Sequence, residues 1–371
     1  MPVFGQNGDT EALLRAMVAA PQRILLVKLS SLGDIVHALP VPVSLRATFP
    51  GARIAWAIEK KWLPLVARHP DVDEFILIDS MEVRRRPHRW SGLRDGLRAL
   101  RAFHADCAVD LQGTVKSAVL TAWSGAALRI GFARAARREG LAGWAYTRRV
   151  APHAAHVVEQ MLELAAAIVP SSAAPQTPFQ RRLQFPFPVP SAVQRSVDSW
   201  IAANQLGDFA FFSPGGGWAS KRWPSDQYAA LAEKLGRDYG LTIVLNRGPG
   251  ERDMDDAYRR ANEIRARLFS GDVEHLAAVL TRARLAVGGD TGPLQLAAAL
   301  AVPTVALFGP TDPARNGPYS ESCTIIRKTA ATTYRRGNAY SPAMLAITPE
   351  EVAAACGQLL RPGRVTTEPA P

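Results

Sequence analysis

Short apolar runs recur along the chain, and each is separated from the next by a turn or by a segment long enough for a helix. Runs that are apolar at almost every position are typical of strands with both faces buried in a parallel sheet. The pattern therefore predicts an α/β protein assembled from strand–helix units. The runs lie at residues 23–29, 53–58, 74–79, 105–111, 208–213, 241–246, 283–289 and 303–309.

Helical patterns occupy the spaces between these runs. The last of them, 348–360, has the most clearly defined start. Thr348 can cap it, Pro349 suits the first helical position, and Glu351 completes a capping box. The predicted helices cover residues 34–48, 225–240, 250–264, 293–301 and 348–360.

A proline-rich stretch divides the chain. Residues 170–191 contain six prolines, which can neither continue a helix nor pair within a central strand. A chain of 371 residues also exceeds the about 250–300 residues that one core usually supports. We predict two doubly wound domains with the following parts: a first domain over 1–170, a linker over 171–190, a second domain over 191–347, a closing helix over 348–361 and a disordered tail over 362–371.

The working surface of such domains is predictable from their topology. Ligands bind outside the carboxyl ends of parallel strands, and two domains that face each other would place this surface in a central cleft. The candidate chemistry therefore lies in the segments that follow predicted strands. Four of them stand out: "LVKLSSLGDIVHALP" (26–40), "SPGGGWASKRWP" (213–224), "NRGPGERD" (246–253) and the segment 288–313 that begins "GGDTGP".

The cysteines, the apolar stretches and the N-terminus together indicate the cellular compartment. The three cysteines are far apart and form no CxxC pair, which argues against a disulfide framework or a zinc site and fits a reducing compartment. No stretch of about 20 apolar residues predicts a membrane span, and the N-terminus lacks the basic start of a signal peptide. We expect a cytoplasmic protein.

The basic charge has several possible explanations. The formal net charge is +11, and most arginine clusters precede residue 150. A nucleic acid, an anionic membrane surface or a phosphorylated substrate would each suit these clusters. Solvated helix faces in an arginine-rich protein are an equally simple explanation.

Two of the four segments have the residues of a phosphate site. In "GGDTGP", Asp290, Thr291 and Gly292 precede a proline that suits a first helical turn, so free amides would meet an anion there. In "SPGGGWASKRWP", Gly216 and Gly217 allow close backbone approach and Lys221 adds a positive charge. Neither segment is a Walker A or a GxGxxG motif, and either one alone could be an ordinary turn between a strand and a helix.

The first segment contains a carboxylate at a predicted helix start. Asp34 could simply favour the helix dipole, but its place after a strand also suits a general base. His37 lies on the same helical face and could orient Asp34, act as the base itself, or be a packed residue. Glu251 follows another strand and could contact a nucleoside or be solvated.

These segments together resemble the ADP-heptose:lipopolysaccharide heptosyltransferases, glycosyltransferase family 9, with the greatest likeness to their heptosyltransferase I branch. The resemblance covers roughly Arg23 to Leu360. It is carried by "VKLSSLGDIVHALP", "DLQGTVKSA" (110–118), "RIGFARAARREGLAGWAYTRRV" (129–150), "KRWP" (221–224) and "GGDTGPLQLAAAL…PTVALFGPTDP".

The resemblance implies a GT-B fold, in which two Rossmann-like domains face a cleft and the C-terminal helix crosses back to the first domain. It implies an inverting transfer of a heptose from ADP-L-glycero-D-manno-heptose to a Kdo sugar on lipid A, with no cofactor and no metal. Asp34 matches the proposed base, Lys221 the lysine at the donor phosphates, and Glu251 the acid near adenosine. Asp290, Thr291 and Gly292 match the turn that holds the donor.

The resemblance also gives the basic residues a purpose, because Kdo carboxylates and lipid A phosphates are dense anions that suit arginine forks. It implies a monomer that binds the cytoplasmic face of the inner membrane peripherally and binds no nucleic acid. The expected acceptor contacts are His37, Arg84, Arg85, Arg86 and Lys116.

One departure keeps alternatives open. The family usually has histidine in the position of Gln295, and glutamine can donate a hydrogen bond but cannot carry charge. Another GT-B transferase, with a different nucleotide sugar or a different anionic glycolipid acceptor, therefore remains an alternative. A basic nucleic-acid-binding protein without catalytic activity is a second alternative, although no nucleic-acid motif supports it.

Overall fold

The computed structural model describes residues 20–80, 90–134, 136, 138–169, 178–248, 266–333 and 336–361. The chain divides into two compact units that meet in sequence between Pro186 and Phe187. Within the described residues, no helix is both long enough and apolar enough to span a membrane.

The first unit is built on a parallel six-stranded sheet in the order β3-β2-β1-β4-β5-β6. This is the strand order of the Rossmann fold, in which the chain runs outward from β1 in one direction and then restarts beside β1 in the other. The central strand β1 is fully buried from Ile24 onward, as a strand covered by helices on both faces must be. The strands are β1 (Arg23–Val27), β2 (Arg53–Glu59), β3 (Glu74–Ile78), β4 (Cys107–Asp110), β5 (Leu128–Phe132) and β6 (Arg148–Val150).

Helices of the first unit connect these strands. They are α1 (Leu32–Val36), α2 (Pro40–Thr48), α3 (Ser91–Ala102), α4 (Val115–Trp123) and α5 (Val157–Ala166), with two 3₁₀-helices at Lys60–Leu65 and Gly140–Ala145. The single helix predicted over 34–48 is wrong in one respect, because the structure breaks it into α1 and α2. Pro40 and Pro42 explain the break: neither has an N–H to donate, and a first helical turn is where that loss costs least.

The second unit repeats the same topology. Its sheet has the order β12-β11-β10-β7-β8-β9, and every strand pair in it is parallel. Counted from β7, this is again the Rossmann order, so the predicted α/β class with two Rossmann-like domains is confirmed. The strands are β7 (Phe209–Ser213), β8 (Thr242–Asn246), β9 (Arg267–Phe269), β10 (Leu285–Gly289), β11 (Thr304–Phe308) and β12 (Cys323–Arg327).

Helices of the second unit begin directly after the proline-rich stretch. They are α6 (Ser191–Ala203), α7 (Ser225–Tyr239), α8 (Val273–Leu280), α9 (Gly292–Ala299), α10 (Pro313–Asn316), α11 (Pro342–Leu345) and α12 (Pro349–Leu360), and a 3₁₀-helix covers Ala219–Lys221. The capping box predicted for the last helix is confirmed: the Thr348 N–H donates to Glu351 Oε2 at 3.2 Å, and the Glu351 N–H donates to Thr348 Oγ1 at 3.3 Å.

The C-terminal helix α12 packs on the second unit. Val352 and Cys356 are fully buried in a core that also contains Trp223 and Leu307. Its apolar face completes the core of this unit. The crossing of this helix back to the first domain stays a prediction.

Residues 178–186 of the predicted linker belong with the first unit. The Gln180 N–H donates to Thr48 Oγ1 at 2.9 Å, and the Arg182 N–H donates to Ser44 Oγ at 2.9 Å. These bonds tie the stretch to α2. Residues 170–177 and the predicted tail from 362 onward lie outside the described residues, as does the helix predicted over 250–264.

Each sheet has one point at which the chain order reverses. In the first unit it lies between β1 and β4, where Val27 pairs with Asp110. In the second it lies between β7 and β10, where Ser213 pairs with Gly288. Adjacent loops leave a sheet in opposite directions at such a point and open a crevice for ligands.

Candidate active site

Asp34 lies in the first turn of α1, the helix that follows β1 at the reversal point of the first sheet. Its Oδ2 accepts hydrogen bonds from the Ser31 backbone N–H and the Ser31 hydroxyl, both at 3.1 Å. The carboxylate therefore does help to start α1, as the simpler interpretation predicted. These bonds engage one oxygen and leave the other to meet further groups.

Two cations surround the Asp34 carboxylate. The Lys28 ammonium lies 3.8 Å from Oδ1 on a side chain that is only 1% exposed. The Arg138 guanidinium spans both oxygens, with Nη2 donating to Oδ1 and Nη1 lying 3.5 Å from Oδ2. The Asp34 side chain remains 19% exposed, so an incoming hydroxyl could still reach it.

The pKa of Asp34 reflects these opposing influences. Burial by itself raises the pKa of the carboxyl, but the charges of Lys28 and Arg138 and the bonds from Arg138 and Ser31 outweigh it. The pKa therefore lies well below its ordinary value. Since the pKa is lowered on folding, ionised Asp34 stabilises the fold above the unfolded pKa of about 4, and this stability is lost as pH falls below it.

Arg138 is the partner of Asp34 that can be removed with the least structural cost, because its side chain is 39% exposed. We expect Arg138→Met to raise the pKa of Asp34 towards its ordinary value, since a major lowering influence is lost while Lys28 stays in place. ¹³C NMR titration of the aspartate carboxyls would measure the shift, with Asp34→Asn identifying the resonance. An unchanged midpoint would show that Arg138 does not control this carboxylate.

The turn after β4 holds the backbone between β1 and α1 through side-chain hydrogen bonds. Gln112 is buried, and its Oε1 accepts from the Leu29 N–H at 2.7 Å and the Ser30 N–H at 3.3 Å. Asp110 in turn accepts from the Gln112 N–H at 2.8 Å and from the Tyr146 hydroxyl at 2.8 Å. Burial raises the pKa of Asp110 despite these bonds. The motif "DLQGT" thus fixes the backbone on which Asp34 sits.

Lys116 lies at the same edge of the sheet, held by groups from two further strands. Its Nζ donates to Glu59 Oε1 at 2.6 Å and to Ser80 Oγ at 2.9 Å. Glu59 ends β2 and is buried, and Ser80 follows β3, whereas the Lys116 side chain is 45% exposed. The network therefore fixes the ammonium group of a lysine whose side chain also faces solvent at the carboxyl edge of the sheet.

His37 occupies a packed position. The side chain is 5% exposed, and its ring meets the ring of His156 edge to face with centroids 5.5 Å apart. His156 caps α5, since its Nδ1 accepts from the Val158 N–H at 3.2 Å. This environment favours the interpretation of His37 as a packed residue and leaves it little surface to offer an acceptor.

In the second unit the predicted residues of two loops converge on Asp290. Lys221 follows β7 and Asp290 follows β10, and Lys221 Nζ donates to Asp290 Oδ2 at 2.5 Å. The buried Thr311 hydroxyl donates to the same oxygen at 2.9 Å. The Lys221 ammonium also lies 4.4 Å from the centroid of the Trp218 ring, a cation–π distance. Asp290 therefore positions Lys221 at the reversal point.

Gln295 links this cluster to the next loop. The side chain is 4% exposed, and Nε2 donates to the Asn316 carbonyl at 2.8 Å and approaches Asp290 Oδ1 at 3.4 Å. Both bonds need only a neutral N–H donor, which glutamine provides. The amide therefore supports Asp290 without any need for the charge that a histidine could carry.

Close backbone approach explains one glycine of the "GGDTG" motif. A Cβ on Gly289 would lie 2.5 Å from the Lys221 carbonyl oxygen, a separation that no side chain tolerates. The absence of a side chain lets the Lys221 loop lie directly on the end of β10. Around Gly217 there is open space, and a Cβ on Gly216 would lie 3.1 Å from Thr291 Cγ2.

Thr291 stands at the start of α9 with an unused hydroxyl. Its Oγ1 is buried and has no hydrogen-bond partner among the residues that the structure describes, and it does not cap its own helix. A buried hydroxyl without a partner costs about 1–3 kcal/mol of folding free energy. Such a group in a native structure often has a functional reason, such as ligand binding. The free amides of the first turn, including that of Gly292, add an environment that favours anions.

Several predicted residues cannot be placed. Glu251, Arg84, Arg85 and Arg86 lie outside the described residues. Within the described part of the chain, no group of three or more histidine, cysteine, aspartate and glutamate side chains is arranged to hold a metal ion.

Sequence reasoning missed three residues that contact the candidate groups. Lys28 lies inside the apolar run 23–29, and a lysine buried in such a run needs a polar partner. Arg138 was noted only as one of many arginines, and nothing local connects it with Asp34, which precedes it by 104 residues. Thr311 lies in the segment 288–313, but no local pattern predicts a role for it.

Comparisons with known proteins identify the family to which this chain is similar. The model of glycosyltransferase family 9 (heptosyltransferase) matches residues 94–342. Lipopolysaccharide heptosyltransferase 1 of Pseudomonas aeruginosa is 34% identical over 81% of this chain and 82% of its own.

Solved structures give the same result. The E. coli heptosyltransferase WaaC with ADP is 26% identical, with a TM-score of 0.68 over 91% of this chain and 99% of its own. The same enzyme with ADP-2-deoxy-2-fluoro heptose matches with 26% identity and a TM-score of 0.65 over the same shares.

Proposed function

Because the chain belongs to glycosyltransferase family 9, the family of the heptosyltransferases, we propose that it transfers a heptose from ADP-L-glycero-D-manno-heptose to a Kdo sugar of the lipopolysaccharide inner core. It is a transferase that uses a nucleotide sugar. The finer proposal names the donor, the acceptor sugar and the roles of individual residues.

The observation that carries the donor proposal is the cluster around Asp290. Lys221 is held there by a 2.5 Å bond, next to a helix start whose Thr291 hydroxyl has no partner among the described residues. An ammonium, a free hydroxyl and free amides together suit the diphosphate of a nucleotide sugar. A relative of this chain is known with ADP bound, which supports ADP as the nucleotide.

The acceptor proposal rests on the first unit. Lys116 and Arg138 are partly exposed cations that belong to the same unit as Asp34. Kdo carboxylates and lipid A phosphates are anions that such groups bind well. We assign the same role to Arg84, Arg85 and Arg86, and a nucleoside contact to Glu251, from the resemblance alone.

The proposed reaction is a single displacement. The acceptor hydroxyl attacks the anomeric carbon as Asp34 accepts its proton, and ADP leaves from the opposite face, so the configuration inverts. The Lys221 ammonium and the amides at the start of α9 stabilise the negative charge that grows on the diphosphate. A diphosphate leaves without being protonated, so the reaction needs no second carboxylate.

Asp34 must change its partners before it can act. A carboxylate whose pKa is held low by Lys28 and Arg138 is a weak base, because base strength falls with pKa. We propose that an acceptor anion draws the Arg138 guanidinium away from Asp34. The binding of the correct acceptor would then itself strengthen the base beside the hydroxyl to be deprotonated.

We further propose that the transfer needs no metal and no cofactor, because Lys221 supplies a positive charge at the diphosphate. The protein would act as a monomer at the cytoplasmic face of the inner membrane. Undiminished transfer in the presence of a chelator would support the first of these statements.

A donor and acceptor panel tests the function. We expect ADP-L-glycero-D-manno-heptose and a Kdo–lipid A acceptor to give a product whose mass rises by one heptose residue, with ADP released in equal amount. UDP- and GDP-sugars in place of the ADP donor serve as controls. Faster transfer from one of these donors, or no transfer to the Kdo acceptor, would refute the proposal.

Thr291→Val tests the donor site by separating binding from stability. The variant replaces an unpartnered buried hydroxyl by a methyl group, so the melting temperature should stay equal or rise. If the hydroxyl binds the donor phosphates, the affinity for ADP should fall by about tenfold to a hundredfold, the value of one hydrogen bond to a charged group. Calorimetry and thermal unfolding measure the two quantities, and equal ADP affinity would remove Thr291 from the site.

A further inference from the structure

Three neighbouring elements of the first unit expose large apolar side chains. Leu141 is 78% exposed and Trp144 61% exposed on the 3₁₀-helix Gly140–Ala145. Trp123 is 52% exposed and Val119 44% exposed on α4, and Trp90, directly before α3, is 59% exposed. We call these five residues the aromatic face.

The elements that carry the aromatic face are packed against one another. Trp123 Nε1 donates to the Leu97 carbonyl at 2.9 Å, which fastens α4 to α3. On its other side α4 packs against the 3₁₀-helix through small residues, since Ala118, Ala142 and Ala145 belong to one buried cluster. The alanines therefore point inward, while leucine and tryptophan point outward.

Small residues are buried here and large apolar residues are exposed, which is unusual for a surface that faces only water. Isolated exposed apolar residues are ordinary, but several large ones on adjoining elements mark an interaction surface. Tryptophan is especially common where one side of a group meets an apolar phase and the other meets water.

The charges on the same elements indicate the partner. Helices α3 and α4 have four cationic side chains, Arg94, Arg98, Arg101 and Lys116, and one acidic side chain, Asp95, all of them exposed. Asp95 lies 3.5 Å from Arg98. Arg101 also reaches the face itself, since its Nη1 donates to the Trp123 carbonyl at 3.4 Å. Apolar side chains among cations suit a surface that offers anionic headgroups above an apolar phase.

We propose that the aromatic face docks the first unit on an anionic lipid bilayer, with Leu141 and Trp144 entering the headgroup region and the α3 arginines contacting lipid phosphates. The inference rests on the proposed function, in which the acceptor is a lipid. Lys116 lies in the first turn of α4 and Trp123 ends the helix, so a helix of about 13 Å connects the docking surface with the edge proposed to hold the acceptor.

Vesicle binding tests the docking surface. The probe is vesicles of phosphatidylethanolamine containing about one-third phosphatidylglycerol, with neutral phosphatidylcholine vesicles for comparison. We expect the full chain to sediment with the anionic vesicles, and Leu141→Ala/Trp144→Ala to weaken this binding at least about tenfold. Arg94→Gln/Arg98→Gln should weaken it by about fivefold per charge and remove most of its salt dependence.

A matched control uses the second unit. Tyr340→Ala/Leu345→Ala removes an aromatic and an aliphatic side chain that are 43% and 52% exposed, and it should leave vesicle binding unchanged. The Leu141 and Trp144 side chains are mostly in solvent, so their variant should fold normally, as thermal unfolding will show.

The outcomes separate this inference from the proposed function. ADP affinity should be equal in all variants, and transfer to a soluble acceptor without lipid chains should persist in Leu141→Ala/Trp144→Ala. Equal vesicle binding by that variant and the wild type, or no binding by either, would overturn the docking surface even if ADP binds. A change from dimer to monomer in that variant, without a change in vesicle binding, would instead assign the face to a second copy of the chain.

Discussion

Asp34→Ala should lower kcat by about 10²- to 10⁴-fold, the usual contribution of a positioned general base, while the affinity for ADP stays unchanged. The proton acceptor would be lost, whereas the groups proposed to hold ADP belong to the second unit. Product formation under saturating substrates measures kcat, and calorimetry measures ADP affinity.

The control for this variant must also break an ion pair. Asp73 accepts from the Arg46 guanidinium at 2.7 Å and from the Ile54 N–H at 2.7 Å, in the same unit but at the amino end of β3. Asp73→Ala should therefore cost stability without lowering kcat. The comparison matters because Asp34→Ala leaves the buried Lys28 without its carboxylate, which is itself destabilising. Near-normal kcat in Asp34→Ala would exclude Asp34 as the base.

Lys221→Met should weaken ADP binding by about tenfold to a hundredfold. The substitution keeps the apolar stem and removes the ammonium, and a hydrogen bond to a charged group contributes about 1.5–3 kcal/mol. It should also lower kcat, because the same charge stabilises the departing diphosphate. Calorimetry with ADP and initial rates with the sugar donor measure the two effects separately.

Lys234→Met is the matched control for Lys221. Lys234 also forms an ion pair in the second unit, with Glu350 at 2.9 Å, but it lies on α7, away from the reversal point of the sheet. We expect the ADP affinity of that variant to lie within twofold of the wild-type value, a difference of at most about 0.4 kcal/mol in binding free energy. If both lysine variants bound ADP equally well, Lys221 would have no role at the phosphates.

The central strands of both sheets and the edge strand β3 could be predicted from the sequence, but the other three edge strands could not. The strands that were missed include β6, β9 and β12, which lie at sheet edges, and β5, which adjoins β6. Their burial is partial, as in Arg148–Val150, where no residue is fully buried. An edge strand has one neighbour and more solvent, so it tolerates arginine and threonine and loses the apolar signal.

The candidate site was predictable where a motif carried it and unpredictable where tertiary contacts did. Asp34, Lys221 and Asp290 each lie in the segment that follows a strand, and topology alone directs attention to these segments. The pairing of Asp34 with Arg138 joins β1 to a segment beyond β5, and no local pattern encodes such a contact. His37 shared a helical face with Asp34, yet packing against His156 determined its place.

The thiols behave as packed apolar groups. Burial raises the pKa of Cys356 and of Cys323 to about 12, and raises that of Cys107 as well. Thiolate is the reactive form of cysteine, so all three should react slowly with alkylating reagents at neutral pH.

The cores of the two units are drawn from separate stretches of the chain. The cluster of buried residues around Trp223 takes its members from Ala210 to Leu359, including those of the last helix, and the clusters of the first unit end before the proline-rich stretch. A crossover between two related genes near codon 187 would therefore leave each of these described clusters intact. With the donor and acceptor sites as proposed above, the product would be a chimaera that takes its nucleotide-sugar specificity from one parent and its glycolipid specificity from the other, so the two specificities could be exchanged separately.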